Sequence, residues 1–181
     1  MKFLITSIAV LAVVSAVLIF VHLHLRKGEK GPVAHVKNGF ELIVRAPYEK
    51  VFPLFGAHGE RAWGGDDWDP HFLHPQPAQD VEGEVFTVVH GHTHATWVNT
   101  AFDPASGHVQ YVYVVPDAQA VRIDIHLLKR DSANTGVNVV YERTSLNAGL
   151  NEHITKLGKK DAQSAAEWQS AIEASLGVSK N

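Results

Sequence analysis

Apolar and polar positions fall into three regimes along the chain. Phe3–Leu25 contains no Asp, Glu, Lys or Arg. At 1.5 Å per residue this stretch is about long enough to cross a ~30 Å hydrocarbon core. From about residue 84 to residue 145 apolar and polar residues alternate, the period-two pattern of half-buried strands. The last regime repeats every three to four residues. Leu150, Ile154, Leu157, Trp168, Ile172 and Leu176 form one stripe with Ala165 in its middle, as an amphipathic helix requires.

These patterns predict a definite element order. Phe40–Arg45 reads as a short strand. Pro47 suits the first turn of a helix over "PYEKVFPLF", with Val51, Leu54 and Phe55 on one side and Pro53 shortening it. A second short helical piece around Gly59–Trp63 ends at Gly64-Gly65. Residues 66–77 (DDWDPHFLHPQP) read as a loop, too proline-rich for regular structure. Strands are expected at Glu84–Val89, Thr93–Asn99, His108–Val115, Ala120–Lys129 and Val137–Ser145. Turn residues at 103–107, 116–117 and 131–136 separate the later ones. The closing helix, roughly 27 residues and ~40 Å long, is stopped by Gly177.

The fold class is therefore α+β: a curved antiparallel β-sheet wrapped around a long C-terminal α-helix, preceded by one N-terminal transmembrane helix. The expected units are an anchor over 1–26, a linker over 27–38 containing Gly31-Pro32, and a folded domain over 39–177. The apolar stripe buries against one sheet face, and Ala162, Ala165 and Ala166 leave room for a gap there. A cleaved signal peptide is the rival for the first segment. Cutting within Val13–Ala16 would leave Val17-Leu18-Ile19-Phe20 as an exposed apolar end, which favours an uncleaved single-pass anchor. Arg26, Lys27 and Lys30 against Lys2 lean toward a cytoplasmic domain, but the contrast is too small to fix the side.

Composition narrows the function classes. The chain has 181 residues and a formal net charge of -3, so it lacks the basic footprint of nucleic-acid binding. With 0 cysteines, disulfides and thiolate metal sites are excluded. The unusual feature is 12 histidines, candidates for ligands, acid–base groups or pH-sensitive surface.

Three of those histidines stand in "HGHTH" as His90, His92 and His94. An unbroken strand would aim all three at one face, with alternate Cα atoms about 6.6–6.8 Å apart. Two such imidazoles can share Zn or Cu, with His71, His74 or Asp66, Asp67 and Asp69 completing the shell. Three on a straight strand are too spread for one tetrahedral ion. A turn at Gly91 would instead scatter them to solvent, and a polar patch lining a cavity is the third reading. Trp63, Trp68, Phe72 and Trp97, with Phe52 and Phe55, are candidates for either core or a pocket wall, Trp63 and Trp68 lying nearest its mouth. His94 beside Thr96, or Asp124, His126, Tyr141 and Arg143, are the acid–base candidates. Alternation, however, places Arg122, Asp124 and His126 on the solvent face opposite Val121, Ile123 and Ile125, with Asp124 and Arg122 as an ion-pair set. No nucleophile elbow, phosphate loop or dinucleotide fingerprint is present. Lys156, Lys159, Lys160, Asp161, Glu167 and Glu173 fall off the apolar stripe and read as the solvated face of the last helix.

The element order, together with "APYEKVFPLF", "AWGGDDWDPHFL", "ATWVN", "YERTSLNAG" and "EWQSAI", resembles the SRPBCC (START-like, helix-grip) superfamily. It is most similar to the branch known as polyketide cyclase/dehydrase and lipid transport, over about Phe40 to Leu176. The resemblance implies a deep hydrophobic cavity between sheet and C-terminal helix, which relatives use for lipids, sterols or polyketides. The expected function is a membrane-anchored binding domain for a hydrophobic small molecule. Its partners are that molecule and a membrane met through residues 3–25, with no nucleic acid and no cofactor. The expected ligand-binding set is Trp63, Trp68, Phe72, Trp97, His94 and Phe55. Two alternatives stand beside it: a metal-binding or metal-dependent domain using His90, His92, His94, His71 and His74, and a cyclase or dehydratase enzyme.

Overall fold

Seven runs rich in β-branched and aromatic residues pair edge to edge in a computed structural model that describes residues 31–178. The predicted anchor over 1–26 lies outside the described residues. Among those described, no helix is long and apolar enough to cross a membrane. The strands are β1 (His35–Val44), β2 (His71–His74), β3 (Val85–His90), β4 (Thr93–Asp103), β5 (His108–Val115), β6 (Gln119–Lys129) and β7 (Thr135–Ser145). They form one antiparallel sheet in the order β1-β7-β6-β5-β4-β3-β2. A register shift between Asn99 and Ala101 on β4 adds the local twist that lets a sheet curve.

Between β1 and β2 the chain forms a helical block: α1 (Tyr48–Val51), a 3-10 turn over Phe52–Phe55 and another over Gly59–Ala62. Pro53 stands at the start of the first 3-10 turn, where a proline needs no intrahelical N–H partner. Ring polar groups from elsewhere satisfy the block's free carbonyls. The Tyr111 hydroxyl donates to the Phe55 carbonyl (2.7 Å), Trp63 Nε1–H to Leu54 (2.7 Å) and Trp68 Nε1–H to Ala57 (3.1 Å).

Three expectations need correction. β1 begins at His35, inside the expected linker, because His35–Asn38 pair with Thr144–Tyr141 of β7. The expected loop at 66–77 contains an edge strand, β2, hydrogen-bonded to β3. The single closing helix is two: α2 (Asn151–Asp161) and α3 (Ala165–Ser175), separated by residues 162–164.

The break has a physical cause on the sheet. Asp161, at the end of α2, is drawn down to Arg143 of β7. Arg143 Nε donates to Oδ2 at 2.6 Å and Nη2 to Oδ1 at 2.8 Å. Arg143 also donates to the Tyr113 hydroxyl (2.8 Å) and to Gln119 Oε1 (3.2 Å). Earlier in α2, Gly158 lies so close to β1 that a Cβ there would stand 2.8 Å from the Asn38 side chain. The helix therefore rests flat on β1 and is pinned at its end.

α3 is held by a second ion pair. Arg45, just past β1, donates to the Glu173 carboxylate from its backbone N–H (3.0 Å), Nε (3.1 Å) and Nη2 (2.8 Å). These hydrogen bonds lower the Glu173 pKa from 4.5 to about 2. A carboxyl depressed in the folded state stabilises fully above its unfolded pKa, and that stabilisation is lost as pH falls through the folded value. The contribution, discounted because Arg45 is half open to water, is about 1–2 kcal/mol. Thermal unfolding between pH 6 and pH 2.5 should therefore show a steeper acid loss for the wild type than for Glu173→Gln. Parallel curves would remove the pair from the acid response.

Candidate functional site

Strand pairing places the inward side chains in rows across the sheet. One row runs Asn99, Tyr111, Ile123 and Tyr141 over β4 to β7. Glu84 extends it, since Asn99 N–H donates to the Glu84 carbonyl at 2.9 Å. The next row runs Phe86, Trp97, Tyr113, Val121 and Arg143. The helical block and α3 cover these rows. The interior between them is thus a wall of rings with polar groups set into it.

Expected site residues sort clearly on this frame. Phe55, Trp68 and Trp97 are buried, and Trp63 and Phe72 are half-buried. Trp97 stacks on Tyr113 (centroids 4.1 Å apart, 22°) and meets Trp68 edge-on at 5.3 Å. Trp63 meets Phe55 at 5.8 Å and Trp168 at 4.9 Å. Trp168 also touches Phe40 (5.2 Å), Phe55 (6.3 Å) and Tyr141 (6.4 Å). The space that the resemblance assigns to a deep cavity holds the protein's own rings. A cleft of about 430 Å³ lies elsewhere, beside Ile43, Leu128, Arg130 and Gly136.

The "HGHTH" run is a hairpin. His90 pairs with Thr93, and Gly91-His92 form the two-residue turn, with Gly91 at φ +59. A glycine at positive φ in the first central position is what a type II′ hairpin turn demands. His92 and His94 are exposed, as are His71 and His74 on edge strand β2. Among the described residues, two other groups bring His nitrogens and carboxylate oxygens within 4.8 Å of one another. These are His108, Asp124 and His126 on the outer face, and His58, Asp80 and Glu84 on the inner side.

The outer group joins β5 to β6. His108 and His126 are cross-strand partners whose rings stack 4.6 Å apart at 3°, and Asp124 Oδ1 lies 2.8 Å from His108 Nε2. Asp124 therefore partners histidines, while Arg122 pairs with Glu142 at 2.9 Å. The expected Asp124–Arg122 pair does not form. Alternation correctly divides β6, burying Val121, Ile123, Ile125 and Leu127. The sheet consequently separates the proposed acid–base partners, with Asp124 and His126 outside and Tyr141 and Arg143 inside.

Several polar residues of the interior carried no individual sequence signal. Glu84 is fully buried, and neither carboxylate oxygen has a hydrogen-bond partner. Burial, then the charge of Asp80, raises its pKa from 4.5 to about 8, with Asn99 opposing. Glu60 is likewise pushed up to about 8 by burial and by Asp80. Burial first, and Glu60 second, hold the Tyr111 and Tyr141 phenols well above their ordinary range. Both phenols thus stay neutral donors at physiological pH. Asn99 and Trp97 Nε1 are also buried without partners. One clue was readable in the sequence: Glu84 and Asn99 occupy inward positions of runs otherwise filled by Phe86 and Val88, and by Ala95 and Trp97.

No family model matches the chain, and no curated protein matches it in sequence. Solved structures do. Norcoclaurine synthase from Thalictrum flavum, in complex with dopamine and hydroxybenzaldehyde, is 12% identical with a TM-score of 0.59, covering 82% of this chain and 90% of that one. Ara h 8.0201 is 16% identical with a TM-score of 0.56, covering 81% and 99%. A protein from Rhizobium leguminosarum is 11% identical with a TM-score of 0.57, covering 79% and 97%. The chain therefore has the helix-grip fold shared by SRPBCC and Bet v1-like proteins, with its closing helix in two parts.

Proposed function

We propose that the interior between the sheet and α3, once Trp168 is displaced, binds an apolar small molecule of aromatic type carrying at least one hydroxyl or carbonyl group. One observation carries this reading. All four tryptophans of the chain, Trp63, Trp68, Trp97 and Trp168, gather with Phe55, Phe86 and three tyrosines around this interior. Such a wall supplies apolar contact, and a few placed polar groups orient the guest. Here they are Trp97 Nε1–H, which lacks a partner, the neutral Tyr141 phenol, and the oxygen of the Tyr111 hydroxyl, whose proton goes to the Phe55 carbonyl. The binding needs no cofactor. It is consistent with the aromatic molecules found with norcoclaurine synthase in the same fold.

Because all four tryptophans border the site, intrinsic fluorescence is a direct reporter. Titrating the detergent-solubilised full chain with hydroxybenzaldehyde should quench or shift that emission. Trp97→Phe, which deletes one donor, should weaken binding about fivefold, the worth of one neutral hydrogen bond of ~1 kcal/mol. No emission change with hydroxybenzaldehyde or a fluorescent fatty acid, and no small molecule retained in native mass spectrometry, would refute the proposal. The cyclase or dehydratase alternative is tested by the same guests, which it requires to be converted rather than released unchanged.

The reading also tethers the domain to a bilayer through residues 3–25, whose length and lack of charge suit a single span. The full chain should fractionate with membranes and a chain starting at residue 27 should not. Equal partitioning of the two would remove the tether.

A further inference from the structure

The His58–Asp80–Glu84 group has features that a surface cluster lacks. Glu84 has no exposed surface, and its two carboxylate oxygens are unpartnered. The groups acting on it are Asp80 and Asn99, neither of them a cation. A buried carboxylate in such a place is stabilised by a proton or by a metal ion. One His58 ring nitrogen, an Asp80 oxygen and a Glu84 oxygen lie within 4.8 Å of one another. Two ligands each ~2.1 Å from a tetrahedral ion stand about 3.4 Å apart. The His58 Nδ1–Asp80 Oδ1 separation is already 3.3 Å.

Neighbouring groups hold these side chains in place. Phe72 stacks on the His58 imidazole with centroids 4.1 Å apart and planes at 10°, which fixes the ring's direction. The His58 backbone N–H donates to Asp80 Oδ1 at 2.9 Å. The Asp80 side chain fills the place where Gly56 lacks a Cβ, so any larger residue at 56 would displace it. Orientation of this kind is typical of metal ligands. His58 is 37% exposed and Asp80 18%, which leaves a path from solvent to the buried Glu84.

We propose that His58, Asp80 and Glu84 bind one divalent transition-metal ion of the zinc or manganese type. One imidazole and two carboxylates suit these ions better than copper(I) or iron–sulfur chemistry, which call for thiolates, and the chain has none. The site shares no ligand with the outer-face group or with the "HGHTH" hairpin.

The test is calorimetric titration of the EDTA-stripped, detergent-solubilised full chain with Zn²⁺ and with Mn²⁺. The tightest ion is expected at one per chain with micromolar or stronger affinity. Glu84→Gln and His58→Gln should each weaken it at least about tenfold. His126→Gln, on the outer face, should leave it unchanged. His58→Gln acts at a half-exposed position and keeps the test valid should Glu84→Gln unfold. No uptake at about 100 µM of either metal would overturn the proposal. So would an affinity lost in His126→Gln but kept in Glu84→Gln and His58→Gln. Neither result bears on hydroxybenzaldehyde binding, which uses Trp97 and the phenols.

Discussion

Asp161→Asn is expected to cost about 3 kcal/mol of unfolding free energy and to lower Tm by roughly 6–12 °C. Arg143 and Asp161 are each only 7% exposed. Burial works against the Arg143 charge, but its bidentate hydrogen bonds to Asp161, together with the Asp161 charge and Tyr113, outweigh it and keep the guanidinium protonated. Removing the carboxylate charge leaves that cation buried with neutral acceptors only: the amide oxygen at position 161, the Tyr113 hydroxyl and Gln119. Breaking one half of such a pair costs more than the pair is worth. The double variant Arg143→Met/Asp161→Leu should accordingly recover to within about 1 kcal/mol of wild type. Denaturant unfolding of the two variants decides the matter. A loss below about 1 kcal/mol in Asp161→Asn would mean that water already reaches the guanidinium.

That pair marks where the sequence stops being readable. Helical periodicity compares a residue only with its own helix, so Asp161 and Glu173, both off the apolar stripe, read as solvated. Their partners, Arg143 on β7 and Arg45 just past β1, lie 18 and 128 residues away and leave no local trace. The interruption at 162–164 is hidden for the same reason, since the stripe from Ile154 to Trp168 keeps its phase across it. Strand patterns were legible because a sheet buries one side of every strand: alternation alone placed Val121, Ile123 and Ile125 inside. The "HGHTH" run was ambiguous between strand and turn until the backbone of Gly91 was known. The group at His58 has no spacing signature, because His58 precedes the second 3-10 turn while Asp80 and Glu84 come from the connection between β2 and β3. Only Glu84 and Asn99, polar residues at inward positions, hinted that the interior holds chemistry.

Trp168→Ala tests whether the aromatic interior is a latent binding site or only core. Trp168 is the one large α3 side chain that meets Phe40, Phe55, Trp63 and Tyr141 together. It is only half-buried, so its truncation should cost about 2–4 kcal/mol, at or below the usual range for buried aromatics. The hollow left behind would be on the order of 150 Å³, the size at which an apolar engineered cavity takes up benzene. Indole should therefore stabilise the variant by about 2.7 kcal/mol at a hundredfold excess over its Kd, offsetting much of the loss. The wild type should respond less, because a guest there has first to displace Trp168. Thermal shifts with and without indole separate the outcomes. Equal stabilisation of both proteins would mean that the interior is already open. No stabilisation of the variant would mean that α3 collapses onto the sheet, leaving the helix-grip interior as packing alone.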